Sequence, residues 1–251
     1  MLTKLDFLPG SAQVKGSIFA FLIFLAAGNI FALDFSAGGG ALTGYTFSRY
    51  TLEADNAESK QTMDRFNYGG FLFFDAVFVQ LSVMIIGGNS AYSENMTHDN
   101  SPLPGGEGRG SELNLGFSLM GKFPFSLNEK ISVFPMLGAE YQIALIQRRQ
   151  PDGDFVYDRA KGELAEDRDK NDDPYPLYAW NSWWINIGAG LDYFITDSFF
   201  LRGESIFGFR LPTKYEMGAL EKLEYLMNIT NPKLKGLTGS PIIKISAGYR
   251  F

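Results

Sequence analysis

Charged and amide side chains that could do chemistry recur at every second position within otherwise apolar segments. Side chains at alternate positions of a strand share one face, so we expect these residues to point together into an enclosed interior. Charges of both signs there could pair with one another, or could line a narrow path for a small solute. The polar members of this predicted inward face are Lys122, Glu140, Gln142, Asp192, Arg202, Glu204, Arg210 and Lys244. Its apolar members are Phe78, Met84, Phe134, Met136 and Phe200.

Residues for hydrolytic or metal chemistry are few. The chain has no cysteine, which excludes disulfides, thiol nucleophiles and thiolate metal sites. Acyl transfer usually needs a histidine beside a serine, and the single histidine, His98, falls in a polar segment where solvation is the simpler interpretation. Asp167, Asp169 and Asn171 have the alternate spacing of a calcium loop, but Asp172 stands where its turn glycine should be. We predict no enzymatic activity, no metal site and no cofactor.

The elements that would position the inward residues are β-strands. In the C-terminal segment 243–251, the odd positions read Ile, Ile, Ala, Tyr and Phe, and the even positions read Lys, Ser, Gly and Arg. A period of two predicts a strand with one apolar and one polar face, and strands of about nine to eleven residues can cross a bilayer at a tilt. Segments of this kind are found at 35–47, 66–74, 77–85, 113–119, 131–145, 183–193, 199–211 and 243–251.

The connections between these segments alternate in length. Short turns are predicted at 75–76, 126–130 and 196–198, and longer polar loops at 49–64, 92–109, 149–178 and 212–239. This alternation is typical of outer-membrane barrels, with short turns in the periplasm and long loops outside. A sheet that faces lipid can have no free edge, so the first and last strands must pair. We predict an all-β fold: an eight-stranded antiparallel up-and-down transmembrane β-barrel.

Two further features belong to the ends of the predicted barrel. Phe78, Phe134 and Phe200 lie within a few residues of the short turns, which suggests either an aromatic plug at the periplasmic end or outward-facing aromatic residues of the girdle. In the last long connection, apolar residues recur at helical spacing over 216–227, as in a short amphipathic helix that could cover the mouth or pack simply as a loop.

The N-terminus has the pattern of an export signal. Lys4 and Lys15 precede an apolar run at 18–27. Small residues lie at the end of this run, at position 26, and after it, at positions 28 and 32. The run is shorter than the ~20 residues of a membrane-spanning helix. We predict a signal peptide over 1–28, with cleavage possibly as late as residue 32, and a single barrel domain over 33–251. The net charge of −6 argues against nucleic-acid binding, which needs a basic surface.

The export signal, the alternation of strands and connections, and the terminal Tyr249-Arg250-Phe251 together resemble the small bacterial outer-membrane barrels. These include OmpX, the membrane domain of OmpA, OmpW and the opacity proteins. The resemblance implies an integral protein of the Gram-negative outer membrane, surrounded by its lipid, with loops facing outside. It also implies recognition by the barrel-assembly machinery through a C-terminal signature, here Ile245, Tyr249 and Phe251.

The sequence says less about activity than about location. The mixed polar and apolar interior favours a porin-like narrow channel for small or hydrophobic solutes, since an eight-stranded barrel can just hold one small ligand. The alternatives are a surface adhesin that binds an extracellular ligand through its long loops, and a structural membrane protein.

Overall fold

A computed structural model of the chain describes residues 35–54, 57–98, 101–150, 155–158, 163–164, 181–212 and 233–251. The predicted signal peptide, the calcium-like spacing at Asp167 and the predicted helix over 216–227 lie outside these residues. The strands are β1 Phe35–Ala54, β2 Ala57–Ala76, β3 Val79–His98, β4 Ser101–Lys122, β5 Phe125–Ser126, β6 Ile131–Gln150, β7 Phe155–Asp158, β8 Glu163–Leu164, β9 Ser182–Phe194, β10 Phe199–Arg210 and β11 Lys233–Arg250. Throughout the described ranges, we find no helix with the length and apolar character needed to cross a membrane.

Long strands close into a ring by antiparallel pairing, in the order β4, β3, β2, β1, β11, β10, β9 and β6, with β6 returning to β4. The first and last strands pair from Ser36 opposite Arg250 to Glu53 opposite Lys233. The prediction of an eight-stranded barrel is therefore confirmed. The short strands β5 and β7 pair with β6, and β8 pairs with β7.

The outer face of the ring carries an apolar belt. Residues such as Leu72, Ile85, Leu119, Ile187 and Ile245 are all exposed there, where a water-soluble protein would place polar groups. At ~3.3 Å per residue and a tilt of ~40°, the distance from Phe35 to Tyr45 corresponds to roughly 25 Å of height, which is the height of the lipid-facing band of such barrels. The belt therefore matches the hydrocarbon layer.

The first short turn differs from its prediction by two residues. β2 continues to Ala76, and the turn is formed by Val77 and Phe78, with Val77 at a φ of 47°. Phe78 was predicted to face inward, which is wrong: it is 57% exposed, and its ring lies 6.4 Å from that of Phe123. A residue within a turn does not follow the alternation of the adjoining strand, so the period of two placed it on the wrong face.

Two predicted loops, 49–64 and 92–109, are mostly strand. β1 to β4 run for 20 to 22 residues, whereas β9 and β10 have 13 and 12. Polar cross-strand contacts maintain the pairing in water, as between the hydroxyls of Thr62 and Ser93 at 2.7 Å. From Asn89 to His98, β3 rises roughly 25 Å beyond the belt. We call these extensions of β1 to β4, with residues 233–239 of β11, the tall wall.

Inside the ring, large apolar side chains lie over glycines of the neighbouring strand. Phe134 is paired with Gly190, Phe200 with Gly248, and Phe73 with Gly38. A Cβ atom at any of these glycines would overlap the facing ring. The interior of an eight-stranded barrel is only just wide enough for side chains. Each aromatic ring therefore occupies the space left free because the facing residue is a glycine.

Candidate functional site

The structure places the predicted inward residues inside the barrel. Only 2–5% of the residue surface is exposed to solvent for Lys122, Glu140, Gln142, Arg202, Glu204 and Lys244. Asp192 is also buried, and Arg210 lies half-buried at the outer end of β10. Phe134, Phe200, Met84 and Met136 are buried in the same interior. These residues separate into two polar clusters with an apolar layer between them.

The inner cluster is centred on Arg202, near the periplasmic turns. Its guanidinium forms a two-pronged ion pair with Asp192, with N–O distances of 2.6 and 2.8 Å. A third nitrogen lies 2.7 Å from Asp75. Asp75 also accepts hydrogen bonds from Lys122 at 2.5 Å and from the Ser36 hydroxyl at 3.0 Å. Bidentate pairs of this kind are the strongest charge-assisted contacts available to a carboxylate.

Three aromatic rings enclose the same guanidinium. Its central carbon lies 4.6 Å from the ring centre of Phe73, and 5.0 Å from those of Phe134 and Phe200. Arg202 stacks well on aromatic faces because its guanidinium is planar and weakly hydrated. Phe134 and Phe200 were predicted to form an aromatic plug at this end, and the structure places them there with Phe73 in the position predicted for Phe78. All four side chains are buried at this level.

Gln80 and Glu204 extend the inner cluster toward the middle of the barrel. The Gln80 amide donates to Glu204 at 3.0 Å, and its oxygen accepts from Arg202 at 3.3 Å. Lys244 is the cross-strand neighbour of Glu204, yet its ammonium lies over the Phe71 ring, 5.1 Å from the ring centre. Among the described residues, no carboxylate forms an ion pair with Lys244.

An apolar layer separates the two polar clusters. Its buried members are Leu42, Phe71, Met84, Ile86, Ile242, Met120, Met136 and Ile206, and Phe73 and Phe134 form its inner edge against Arg202. Several are unbranched methionines, which adapt to irregular gaps. Two buried polar side chains lie at the same level, since Ser82 is paired with Phe73 and Lys244 with Leu42.

The outer cluster lies toward the extracellular mouth. Arg65 forms an ion pair with Glu112, and Glu140 accepts hydrogen bonds from Gln142 at 2.6 Å and Asn186 at 3.0 Å. At its outer limit, Arg210 is within 3.5 Å of the Tyr50 hydroxyl. Each buried carboxylate here has a nearby donor, which offsets the cost of removing it from water.

Sequence reasoning missed Asp75, Gln80, Arg65 and Glu112. Asp75 was assigned to a turn, and Arg65 and Glu112 lie one residue beyond the predicted strands 66–74 and 113–119. Gln80 follows the inward alternation of its own strand and could have been found by extending the same rule. The period of two was correct, whereas the strand ends were too short.

The arrangement provides packing and electrostatic complementarity rather than reactive groups. In the described part of the chain, no three carboxylate or imidazole side chains are grouped to hold a metal ion. His98 ends β3, and its side chain lies outside what the structure describes. The prediction that the protein is not an enzyme stays a prediction.

Comparison with known proteins identifies likeness at the level of fold. No protein-family model matches the chain, and a comparison with curated proteins found no match. OprG, an outer-membrane protein of Pseudomonas aeruginosa, is 15% identical, with 88% of this chain and 96% of that chain covered and a TM-score of 0.43. Neisserial surface protein A is 11% identical, with 85% and 99% covered and a TM-score of 0.34.

A third similar structure is the outer-membrane protease OmpT of Escherichia coli. It is 9% identical, with 87% of this chain and 97% of that chain covered and a TM-score of 0.33. The location of the protein follows from the structure of this chain itself. Its backbone is paired all round the ring, its belt is apolar and its charges are inside, which is the arrangement that a bilayer requires. The chain is an integral eight-stranded β-barrel protein of the bacterial outer membrane.

Proposed function

We propose that the protein is a non-enzymatic surface-binding barrel that acts through its tall wall, with the membrane-embedded ring as its anchor. The observation that carries this proposal is the continuation of β1 to β4 as paired strands far beyond the belt. A paired sheet holds its side chains in fixed positions, so a partner can bind it without first ordering a loop.

The packed interior supports a role outside the lumen. Arg202, with its carboxylate partners and three aromatic rings, fills the barrel near the periplasmic end. The apolar layer above it adds further bulky side chains to the interior. A solute could pass only if these side chains moved.

Shortening one hairpin of the tall wall tests the surface role. Tyr92 and Gly108 are paired, so residues 93–107 can be replaced by an Asn-Gly turn that joins these two positions. We expect the shortened barrel to fold, with heat-modifiable gel migration, and to lose at least tenfold in binding to immobilised laminin or fibronectin. Glu129→Gln, in a periplasmic turn, is the matched control and should bind as the unaltered protein does. Equal binding by the shortened and intact barrels would contradict the proposal.

A narrow porin-like channel is the second candidate. Ionisable groups at successive depths favour it: Asp192 and Arg202 lie near the turns, Glu204 and Lys244 follow, and Glu140 lies nearer the mouth. Arg202→Ser would remove the largest obstruction. Recordings in planar bilayers should then give discrete current steps with this variant and fewer or none with the unaltered protein. A flat trace from both would count against the channel.

A further inference from the structure

Three cations follow the lipid-facing belt on two adjacent strands. On β1 the last apolar outward residue is Phe47, and Arg49 follows it on the same face. On β11 the corresponding residue is Leu237, directly opposite Arg49, and Lys235 and Lys233 follow. All three cationic side chains are exposed. We call Arg49, Lys233 and Lys235 the basic rim.

Ion pairs orient the basic rim without covering it. Arg49 donates to Asp64 at 2.7 Å and to the carbonyl oxygens of Ser48 at 2.9 Å and Met63 at 3.1 Å. Lys235 lies 2.6 Å from Glu53. The Arg49 side chain is nevertheless 49% exposed and that of Lys235 63%. Lys233 makes no ion pair with a described residue, so the rim retains donors that can reach a ligand.

Asp64 remains charged beside Arg49. Its carboxylate accepts a charge-assisted hydrogen bond from Arg49 at 2.7 Å, which stabilises the ionised form. The pairing that orients Arg49 therefore persists at neutral pH. It fixes the guanidinium at the boundary of the belt instead of leaving it free in solution.

Lys60 of β2 and Arg109 of β4 are also exposed, but the basic rim groups three cations on two adjacent strands. On β3, the outward residues beyond the belt are Asn89, Ala91, Ser93 and Asn95, which carry no charge. The whole chain has a net charge of −6, so the three grouped cations contrast with an acidic overall composition. Residues directly beyond the belt contact lipid headgroups, and the anionic group of a headgroup is its phosphate.

We propose that the basic rim binds the phosphate groups of the phosphorylated glycolipid in the outer leaflet. The arginine fork can hold two phosphate oxygens at once, and the lysines supply point charges. Glu53 and Asp64 orient the cations but repel phosphate, so they limit the affinity. This binding surface faces lipid and is separate from the solvent-facing parts of the tall wall.

Native mass spectrometry of the full detergent-folded protein tests this proposal. The probes are bisphosphorylated lipid A and the same lipid with both phosphates removed. We expect the unaltered protein to retain the phosphorylated lipid at about tenfold lower concentration than the dephosphorylated one. The double variant Arg49→Gln with Lys235→Gln should bind both lipids equally and weakly.

Two further variants have expected effects on lipid binding that differ from that of the rim variant. Glu53→Gln with Asp64→Asn removes the repelling carboxylates and should tighten binding of the phosphorylated lipid. Lys130→Gln removes an exposed lysine from a periplasmic turn and should change nothing. Heat-modifiable migration of every variant verifies folding.

Three results would overturn the proposal. The first is equal binding of the two lipids by the unaltered protein, and the second is a loss with Lys130→Gln as large as that with the rim variant. The third is tighter binding of a heparin fragment than of phosphorylated lipid A. Because heparin has no acyl chain, this result would identify the rim as a site for soluble polyanions.

Discussion

Among the single residues of the barrel interior, Arg202 has the environment that is most difficult to satisfy. It is fully enclosed, and its charge is balanced by Asp192 and Asp75. A buried ion pair contributes little net stability by itself, but removing one partner leaves the other charge uncompensated. Arg202 is therefore needed chiefly because the carboxylates are there.

We expect Arg202→Met to lower the free energy of unfolding by about 3–5 kcal/mol. Urea titration of the protein in lipid vesicles measures this change. The double variant Arg202→Met with Asp192→Leu should recover part of the loss, because it removes a stranded carboxylate together with its partner. A loss below about 1 kcal/mol, the range of an exposed ion pair, would mean that water reaches the cluster.

Between neighbouring strands, pairing register and side-chain size are matched across the interior. Gly190 of β9 faces Phe134 of β6, and a methyl group at Gly190 would overlap that ring. Gly203 of β10 has no atom within 4 Å of its would-be Cβ. An alanine at Gly190 would meet the Phe134 ring, whereas an alanine at Gly203 would meet no atom. Comparing the two substitutions therefore distinguishes the effect of overlap from the general effect of replacing a glycine in a strand.

Gly190→Ala should destabilise the barrel by about 1–3 kcal/mol, the usual cost of overpacking. Gly203→Ala should stay within about 0.5 kcal/mol of the unaltered protein. Thermal midpoints read from heat-modifiable gel migration compare the two directly. Equal midpoints for both variants would show that the Phe134 ring moves aside without cost.

The elements that the sequence predicted best are those inside the bilayer. There, lipid on one side and a packed interior on the other impose a strict alternation, as in 243–251, so the face of Lys244 or Arg202 could be read directly. Beyond the belt both faces meet water, so β1 to β4 lose the alternation and their extensions resembled loops. Contacts across the lumen, such as Arg202 with Asp75, depend on ring closure and register, which no local pattern encodes.

For the complete barrel, Phe251 allows the stability of the folded protein to be tested separately from its assembly into the membrane. The Phe251 side chain is 74% exposed, while its backbone nitrogen donates to the Phe35 carbonyl at 2.9 Å. The side chain thus contributes little to the interior of the finished barrel. Its predicted role is recognition by the barrel-assembly machinery.

Phe251→Ala should leave the thermal midpoint of refolded protein nearly unchanged and lower the amount of folded protein in cell membranes several-fold. Quantitative blots of outer-membrane fractions measure the second effect. Leu127→Ala, at an exposed periplasmic turn, is the control and should reach the membrane normally. Normal membrane levels of Phe251→Ala would contradict the predicted signature.

The inner charge cluster couples strands that are not neighbours. Asp75 belongs to β2, Lys122 to β4, Asp192 to β9 and Arg202 to β10, and two strands separate β2 from β10 along the ring. A partly formed sheet would hold these charges without their counterparts, next to hydrocarbon. Intermediates are thereby penalised, and the transition between the open chain and the complete cylinder becomes cooperative, with neutralisation as one of its last events.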